Sequence, residues 1–381
     1  MGGRRAEGMP LRFVRIATYA ITASNGNSVA NDTRSDGGAG DAVAVGSIDP
    51  RRPTLAEVAE LAGVSLKTAS RAINGEKYVA AGTRERVLAS AGSLGFQLNA
   101  MASQLKRGVH SSVVGLITGD LANPFYSMLA KGVEREIRKQ GLQLTIASSD
   151  ETPEAEHLLV EEFVSMRVRG LIVVSTMASH VELAEVQEKG IPVVFVDRGP
   201  VGLMADSIVL DNYSGARSAV EQLLELGHRR IGYVSHFSRL QPQRERLAGF
   251  RDAMIAAGIP EWQRFLAEGT FDVDSAAHAV SGLLEGTPRP TAVFTSNNRI
   301  TIGALQAIAR VAPETALIGF DDFDLAEMLG VTTVSHDPAE MGRLAAARVL
   351  ASAGQRGLEP QNLVLPTSIV QRGSGERKPI D

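Results

Sequence analysis

The chain has 381 residues, of which 44% are hydrophobic and 22% are charged, a composition typical of a globular protein with two or more domains. It contains no cysteine, which excludes disulfides, thiol catalysis and thiolate metal sites. The formal net charge is −4, but residues 51–110 carry nine Lys and Arg against four Asp and Glu. This basic segment beside an acidic remainder predicts that only the first part contacts a polyanion.

Residues 1–50 are predicted to be a disordered extension, or to lie upstream of the true start codon. The stretch 24–46 is rich in Gly, Ser, Asn, Asp and Ala and has no periodicity. An apolar run at 11–23 is interrupted by Arg12 and Arg15 and is therefore not read as a secretory signal. No stretch approaches the ~20 uninterrupted apolar residues of a membrane span, so no membrane partner is expected.

Residues 54–74 predict two short amphipathic helices joined by a tight turn. Thr54 and Glu57 have the spacing of a capping box, Gly63 can adopt positive φ in the turn, and Ser65 can cap the second helix. A second helix this short, with so many exposed hydrogen-bonding groups, is typical of the reading element of a helix-turn-helix in a DNA major groove. The alternative is a pair of surface helices in an ordinary bundle. The expected buried positions are Leu55, Val58, Ala59, Leu61, Ala69 and Ile73.

A third helix is predicted over 83–94, with Val87, Leu88, Ala91 and Leu94 as its buried stripe. The helix-turn-helix domain would then span 51–97. A brief helix follows in the linker 98–110, and it is shorter than the ~12–15 residues needed for independent stability.

From residue 111 the pattern changes to apolar, β-branched runs that alternate with amphipathic helices. Continuous apolar strands with crossover helices predict parallel, doubly wound α/β sheets, and about 270 residues suffice for two lobes. We expect lobe 1 at about 111–209 plus 336–360, lobe 2 at about 210–335 plus 361–373, and a tail at 374–381. The predicted strands are 113–118, 142–147, 171–175, 192–197, 231–235, 292–296 and 316–320.

Several motifs occur in a characteristic order along the chain. They are PTLAEVAELAGVS and TASRAING within 53–75, NPFY at 123–126, LGHRRI at 226–231, RLAGF at 246–250 and IGFDD at 318–322. From residue 53 to about 373 the chain resembles the LacI/GalR family of bacterial transcription regulators. The resemblance implies a helix-turn-helix head, a hinge helix, and a two-lobed module similar to periplasmic sugar-binding proteins.

The resemblance implies that Leu66, Lys67 and Arg71 reach base edges. Arg71 could donate two hydrogen bonds to a guanine, which is worth about 1–3 kcal/mol of discrimination. In the hinge, the resemblance implies that Asn99, Ala102 and Leu105 contact the minor groove, with Leu105 as a wedge between base pairs. For Ser65 and Thr83, helix capping alone is the alternative to phosphate binding. The expected phosphate contacts are Ser65, Thr68, Ser70, Asn74, Tyr78 and Thr83.

Ligands of open α/β sheets bind beyond the carboxyl ends of the strands, where polar side chains and aromatic rings suit a polyhydroxylated molecule. Ser148 and Arg299 are further candidates for the ligand site, because they too follow predicted strands. Phe125 could instead be core, and Arg246 with Asp321 could form a structural ion pair. Asn298 replaces the aspartate that is common in the family, and a sugar is not distinguished from a nucleobase. The predicted effector residues are Asp120, Asn123, Phe125, Tyr126, Asp150, Arg198, Arg246, Asn297, Asn298 and Asp321.

These observations predict a cytoplasmic, homodimeric, ligand-responsive repressor that a small sugar-like effector releases from a near-palindromic double-stranded DNA operator. Two alternatives are a solute-binding protein of a transport system and a regulator whose effector promotes DNA binding. An enzyme is not favoured, because the chain has no dinucleotide-binding glycine fingerprint, Walker loop or nucleophile elbow. Neither a metal nor a cofactor is expected.

Overall fold

A computed structural model describes residues 53–96, 111–355 and 358–380. The predictions for the extension 1–50 and for the hinge 98–110, including Asn99, Ala102 and Leu105, lie outside these residues. The chain separates into two compact units after Gln97. Residues 53–96 are called the head below, and the described residues from 111 onward are called the body.

The head consists of three helices, α1 (Leu55–Leu61), α2 (Leu66–Ile73) and α3 (Ala81–Leu94). The predicted capping box is present: the Thr54 amide donates to a carboxylate oxygen of Glu57 at 2.6 Å, and the Glu57 amide donates to Thr54 Oγ1 at 3.4 Å. Gly63 has a φ of +66° in the turn, as expected. Two short helices therefore begin and end where the sequence indicates.

The core of the head consists of small side chains. Three residues that were predicted to be buried are exposed: Leu61 and Leu88 are 57% and 50% exposed, and Leu94, the last residue of α3, is also exposed. Leu61 lies about 110° around α1 from the centre of the buried face, and Leu88 is one residue out of phase with the stripe of α3. The buried residues are Val58, Ala59, Ala62, Ala69, Ala72, Val87 and Ala91.

The body contains two six-stranded sheets, one in each lobe, and this confirms the predicted two-lobed α/β fold. The sheet of lobe 1 has the order β11-β5-β4-β3-β1-β2 with every pair parallel, and that of lobe 2 has the order β12-β10-β9-β8-β6-β7. The strands of lobe 1 are β1 (Val113–Thr118), β2 (Gln143–Ser148), β3 (Gly170–Val173), β4 (Val193–Val196), β5 (Asp206–Leu210) and β11 (Asn362–Leu365). Those of lobe 2 are β6 (Ile231–Val234), β7 (Leu266–Ala267), β8 (Ala292–Thr295), β9 (Ala316–Phe320), β10 (Thr332–Ser335) and β12 (Ser368–Val370).

Helices pack on the sheets, so strands such as β3, β4, β6 and β8 are buried along their whole length. Within the described residues no helix is both long and apolar enough to cross a lipid bilayer. A short 3₁₀ helix covers Trp262–Phe265. The helices are α4 (Pro124–Arg138), α5 (Pro153–Ser165), α6 (Leu183–Glu188), α7 (Asn212–Glu225), α8 (Gln241–Ala256), α9 (Val273–Glu285), α10 (Asn298–Val311) and α11 (Pro338–Ser352).

Pairs of helices approach each other closely at glycines. A Cβ on Gly132 of α4 would lie 1.9 Å from the Ala339 carbonyl oxygen of α11, and a Cβ on Gly342 of α11 would lie 2.0 Å from the Leu129 carbonyl oxygen. Only glycine fits at such crossings, so these two residues fix the spacing of α4 and α11.

The chain crosses between the lobes three times, around 211, 336–337 and 366–367. The predicted lobe boundary is wrong for 361–365, because β11 pairs in parallel with β5 of lobe 1. The strand β12 is antiparallel to β10, an exception to the predicted parallel sheets. The predicted tail also packs on lobe 2: Ser374 is buried, and its hydroxyl donates to the Leu317 carbonyl at 2.6 Å.

Candidate functional site

One face of α2 is polar and exposed. Leu66 is 52% exposed, and Lys67 and Arg71 are exposed on the same side of the helix. On the opposite side Ala69 and Ala72 are buried in the head. The three predicted base-reading residues therefore share one accessible surface, which we call the α2 face. An α-helix with an exposed face of this kind can enter a major groove.

The predicted phosphate contacts are divided between capping and open positions. Ser65 Oγ accepts from the Thr68 amide at 3.2 Å and so caps α2, while the Asn74 amide group donates to the Ser70 carbonyl at 2.8 Å. Tyr78 is 93% exposed. Thr83 lies half-buried in the first turn of α3, which begins at Ala81. Ser65 therefore has the capping role considered as an alternative, and its hydroxyl is still at the surface.

Arg71 is not free of intramolecular contacts. Its Nε lies 3.4 Å from a carboxylate oxygen of Glu76, and both side chains are about half exposed. An exposed ion pair of this kind is worth little in water. The guanidinium group can therefore exchange Glu76 for another acceptor at small cost.

The second candidate site is a cleft of about 360 Å³ between the lobes of the body. The carboxyl ends of strands from both sheets surround it, as the topology predicted. Nine of the ten predicted effector residues line it, and Arg299 lines it as well. Residues that the sequence reasoning missed are Glu151, Asp197, His236, Phe237, Leu240, Pro242, Gln243 and Phe271.

Asn298 is the exception among the predicted effector residues. It is buried behind the cleft, and its side-chain amide donates to the side-chain oxygen of Asn123 at 3.0 Å. Asn123 belongs to lobe 1 and Asn298 to lobe 2. Asn298 therefore bridges the lobes.

Further contacts hold the lobes together on either side of the cleft. Arg299 of lobe 2 lies 2.5 Å from a carboxylate oxygen of Asp120 in lobe 1, and the Gly199 amide donates to Gln241 Oε1 at 2.8 Å. Arg239 donates to the Glu151 carbonyl at 2.8 Å. The lobes are thus bridged directly by polar side chains, which a motion that opens the cleft would have to separate.

In lobe 1 a buried arginine is surrounded by acidic groups. Arg198 donates from both terminal nitrogens to the Glu151 carboxylate at 2.7 Å, and its Nε lies 3.5 Å from Asp197. Burial disfavours ionisation of Glu151, but the neighbouring Arg198 outweighs it and holds the pKa of Glu151 below its usual value. The pair is an ionised, bidentate salt bridge in the wall of the cleft.

In lobe 2 Arg246 is held on three sides. Its guanidinium carbon lies 3.6 Å from the centre of the Phe320 ring, its Nε donates to Asn212, and both terminal nitrogens lie 3.4 Å from Asp321 oxygens. The ion pair that the sequence left as an alternative is therefore present, and both of its members also face the cleft. Such a fixed pair offers a donor and an acceptor in one plane, as adjacent hydroxyls require.

Burial shifts the ionisation of other groups around the cleft. Desolvation raises the pKa of Asp197 to about 6 against the opposing effect of Arg198. It lowers the pKa of His236 to about 4, so that this imidazole is neutral at pH 7. Burial also lowers the pKa of His336, which lies at a lobe crossing 3.8 Å from Asp321. The lining of the cleft therefore combines acidic side chains with one neutral histidine, His236.

Comparison with known proteins identifies both parts of the chain. Residues 54–99 match the family model described as bacterial regulatory proteins, lacI family, and residues 220–375 match a periplasmic binding protein-like domain. The ribose operon repressor of Escherichia coli K12 is 31% identical over 329 residues, which cover 84% of this chain and 99% of that protein. The chain belongs to the LacI family of bacterial regulators.

Solved structures of LacI-family proteins have the same architecture. A lac repressor dimer bound to operator and the anti-inducer ONPF is 28% identical, with a TM-score of 0.71 over 85% of this chain and 99% of that one. A CelR–cellobiose complex is 30% identical, with a TM-score of 0.62 over 85% and 100%. This LacI-family chain is thus a ligand-responsive DNA-binding transcriptional regulator, with the α2 face in its DNA-binding domain and the cleft in its effector-binding domain.

Proposed function

We propose that this protein is a homodimeric repressor that binds a near-palindromic operator and releases it when a small sugar-like effector occupies the cleft. The observation that carries the proposal is the presence in one chain of an exposed, polar α2 face and a polar cleft lined from both lobes. Each head would read one half-site, so a dimer requires two-fold related half-sites. The relatives support this assignment, since one is a ribose operon repressor and one was solved with cellobiose.

On the operator, Arg71 and Lys67 would donate to bases while Leu66 contacts a thymine methyl group. Ser65, Thr68, Ser70, Asn74, Tyr78 and Thr83 would contact phosphates and set the register. The hinge residues Asn99, Ala102 and Leu105 would enter the minor groove between the half-sites.

In the cleft the effector would bind through carboxylate and amide side chains, with aromatic rings against its apolar face. Binding would favour one relative arrangement of the lobes, and operator affinity would change by the difference in effector affinity between the two states, typically 1–3 kcal/mol. The protein would act in the cytoplasm and catalyse no reaction.

The test uses fluorescence anisotropy with DNA from the gene's own upstream region, with and without candidate sugars. We expect Arg71→Ala to lose at least about five-fold in operator affinity and to blur base preference, because a bidentate arginine–guanine contact is worth about 1–3 kcal/mol. Effector affinity should not change. Arg138→Ala, which removes an exposed arginine of α4, is the matched control and should leave operator affinity unchanged.

Operator affinity should also fall steeply with salt, since phosphate contacts release counterions. An operator affinity that is flat with salt, or equal for wild type and Arg71→Ala, would contradict the proposal. A sugar that tightens binding would show instead that the effector is a co-repressor.

A further inference from the structure

The cleft is negatively charged. Five carboxylates line it, from Asp120, Asp150, Glu151, Asp197 and Asp321, against three guanidinium groups. Its histidine, His236, is neutral at pH 7, so the lining has a formal charge of −2. Among the described residues that line the cleft there is no lysine. A site for a phosphorylated ligand would normally present the opposite sign.

Each arginine of the lining already has a carboxylate partner. Arg198 is bound by Glu151 through two hydrogen bonds of 2.7 Å, and Arg299 by Asp120 at 2.5 Å. Arg246 lies 3.4 Å from both oxygens of Asp321. An incoming anion would therefore have to displace an existing carboxylate while lying close to the others.

The backbone conformation of Glu151 and the space beside Gly119 place the Glu151 carboxylate against Arg198. The φ of Glu151 is +58°, a left-handed conformation that glutamate rarely adopts, and its amide donates to the Gly119 carbonyl at 3.0 Å. A Cβ on Gly119 would lie 2.2 Å from Glu151 Oε1, so the glycine leaves the space that the carboxylate occupies. The backbone carbonyl of Glu151 accepts a hydrogen bond from Arg239 of lobe 2. The backbone strain and this space both support the pairing with Arg198.

We propose that the effector is an uncharged polyhydroxylated molecule, and that Glu151 determines this specificity by occupying Arg198 and so excluding phosphorylated and acidic analogues. The inference rests on the proposed function, because it concerns the ligand of the same cleft. Hydroxyl groups can donate to Asp150 and Asp321 and bind the amides of Asn123 and Asn297 without adding charge. The Phe237 and Phe271 rings, 15° from parallel with centres 6.3 Å apart, supply apolar surface on lobe 2.

The test measures binding of inorganic phosphate to the full-length protein by calorimetry, with sodium chloride of equal ionic strength as the reference. Wild type should show no saturable binding at millimolar phosphate. Glu151→Gln keeps the shape of the side chain but frees the Arg198 charge, so phosphate affinity should rise at least ten-fold. Glu151→Gln combined with Asp197→Asn should bind more tightly still, because both acidic neighbours of Arg198 are then neutral.

A second variant tests the inference if Glu151→Gln does not fold. Asp120→Asn frees the partly exposed Arg299 and should also increase phosphate affinity, by a smaller factor. The matched control is Glu134→Gln, which frees Arg138 from an exposed pair on α4 and should create no site.

Saturable phosphate binding by wild type, or no gain in a folded Glu151→Gln variant, would overturn the inference. If Glu151→Gln does not fold, no gain in Asp120→Asn would overturn it. Operator binding by the wild-type protein does not enter this measurement. A wrong inference about the exclusion of charged ligands by Glu151 can therefore be distinguished from a wrong proposal of repressor function.

Discussion

Five alanines and two valines form the buried core of the head, whereas the body buries Tyr233, Phe195, Phe250, Phe294 and Phe320 completely. The glycines differ in the same way. At each glycine of the described head, an added Cβ would meet nothing within 4 Å, whereas a Cβ added at some glycines of the body, such as Gly132 and Gly342, would lie about 2 Å from a carbonyl oxygen. The head is thus a small, loosely constrained unit with much of its surface left for recognition. The body has the dense core that can hold a charged cleft.

The largest expected effect tests this contrast in packing. Gly132→Ala should lower the free energy of unfolding of the body by about 3 kcal/mol or more, because the new Cβ would lie 1.9 Å from the Ala339 carbonyl oxygen. Gly92→Ala, in the last turn of α3 with open space around it, should instead stabilise the head by about 0.4–1 kcal/mol. Urea unfolding followed by circular dichroism measures both, and equal effects would show that the two regions do not differ in packing.

A second prediction concerns the charge that the body buries. Because the pKa of Asp197 is raised to about 6, its folded-state carboxyl retains a proton that the unfolded chain gives up near pH 4. Its contribution to stability is therefore lost as pH rises from about 4 to 6, and Asp197→Asn should be more stable than wild type at pH 7.5 by roughly 3 kcal/mol.

The advantage of Asp197→Asn should disappear by pH 4, which urea titrations at the two pH values would measure. Asp252→Asn, in an exposed pair with Arg251, is the control and should change stability little. A constant difference between Asp197→Asn and wild type at all pH values would contradict the raised pKa.

The smaller of the two expected losses of stability, in the head, should have the more selective functional consequence. Val87→Ala removes two methyl groups from the head core and should cost about 2 kcal/mol, a large share of the stability of so small a domain. Operator binding should weaken while effector binding, measured by calorimetry, stays the same. The same deletion in the body, Val133→Ala, should be tolerated with operator binding intact. Loss of operator binding in both variants would contradict the expectation that the head is the less stable of the two regions.

Motifs and strong periodicity predicted much of this architecture. Seven strands of the body were predicted because they are continuous apolar runs. The strands β5, β10, β11 and β12 were missed because they carry polar residues such as Asp206, Ser207 and Asn362, and β7 because it has only two residues. Their pairing depends on neighbours distant in the chain, which local pattern does not contain. The assignment of 361–365 to the wrong lobe has the same cause.

The cleft was predictable to the extent that it follows the ends of strands. Glu151, Asp197 and His236 also follow β2, β4 and β6 and could have been included by that rule. Phe271 follows the two-residue strand β7, which has no sequence signal of its own. Asn298 was misplaced because its side chain turns towards Asn123 instead of the cleft, a choice set by the approach of the lobes.

The three crossings between the lobes also bear on biosynthesis. The edge strand β11 completes the first sheet and β12 the second, and both follow the other described strands of the body in the chain. Until they are synthesised, β5 and β10 present unpaired edges, and before its own synthesis α11 cannot cover lobe 1. Neither sheet can be completed until β11 and β12 have been synthesised, so the growing body exposes open sheet edges that favour aggregation until then.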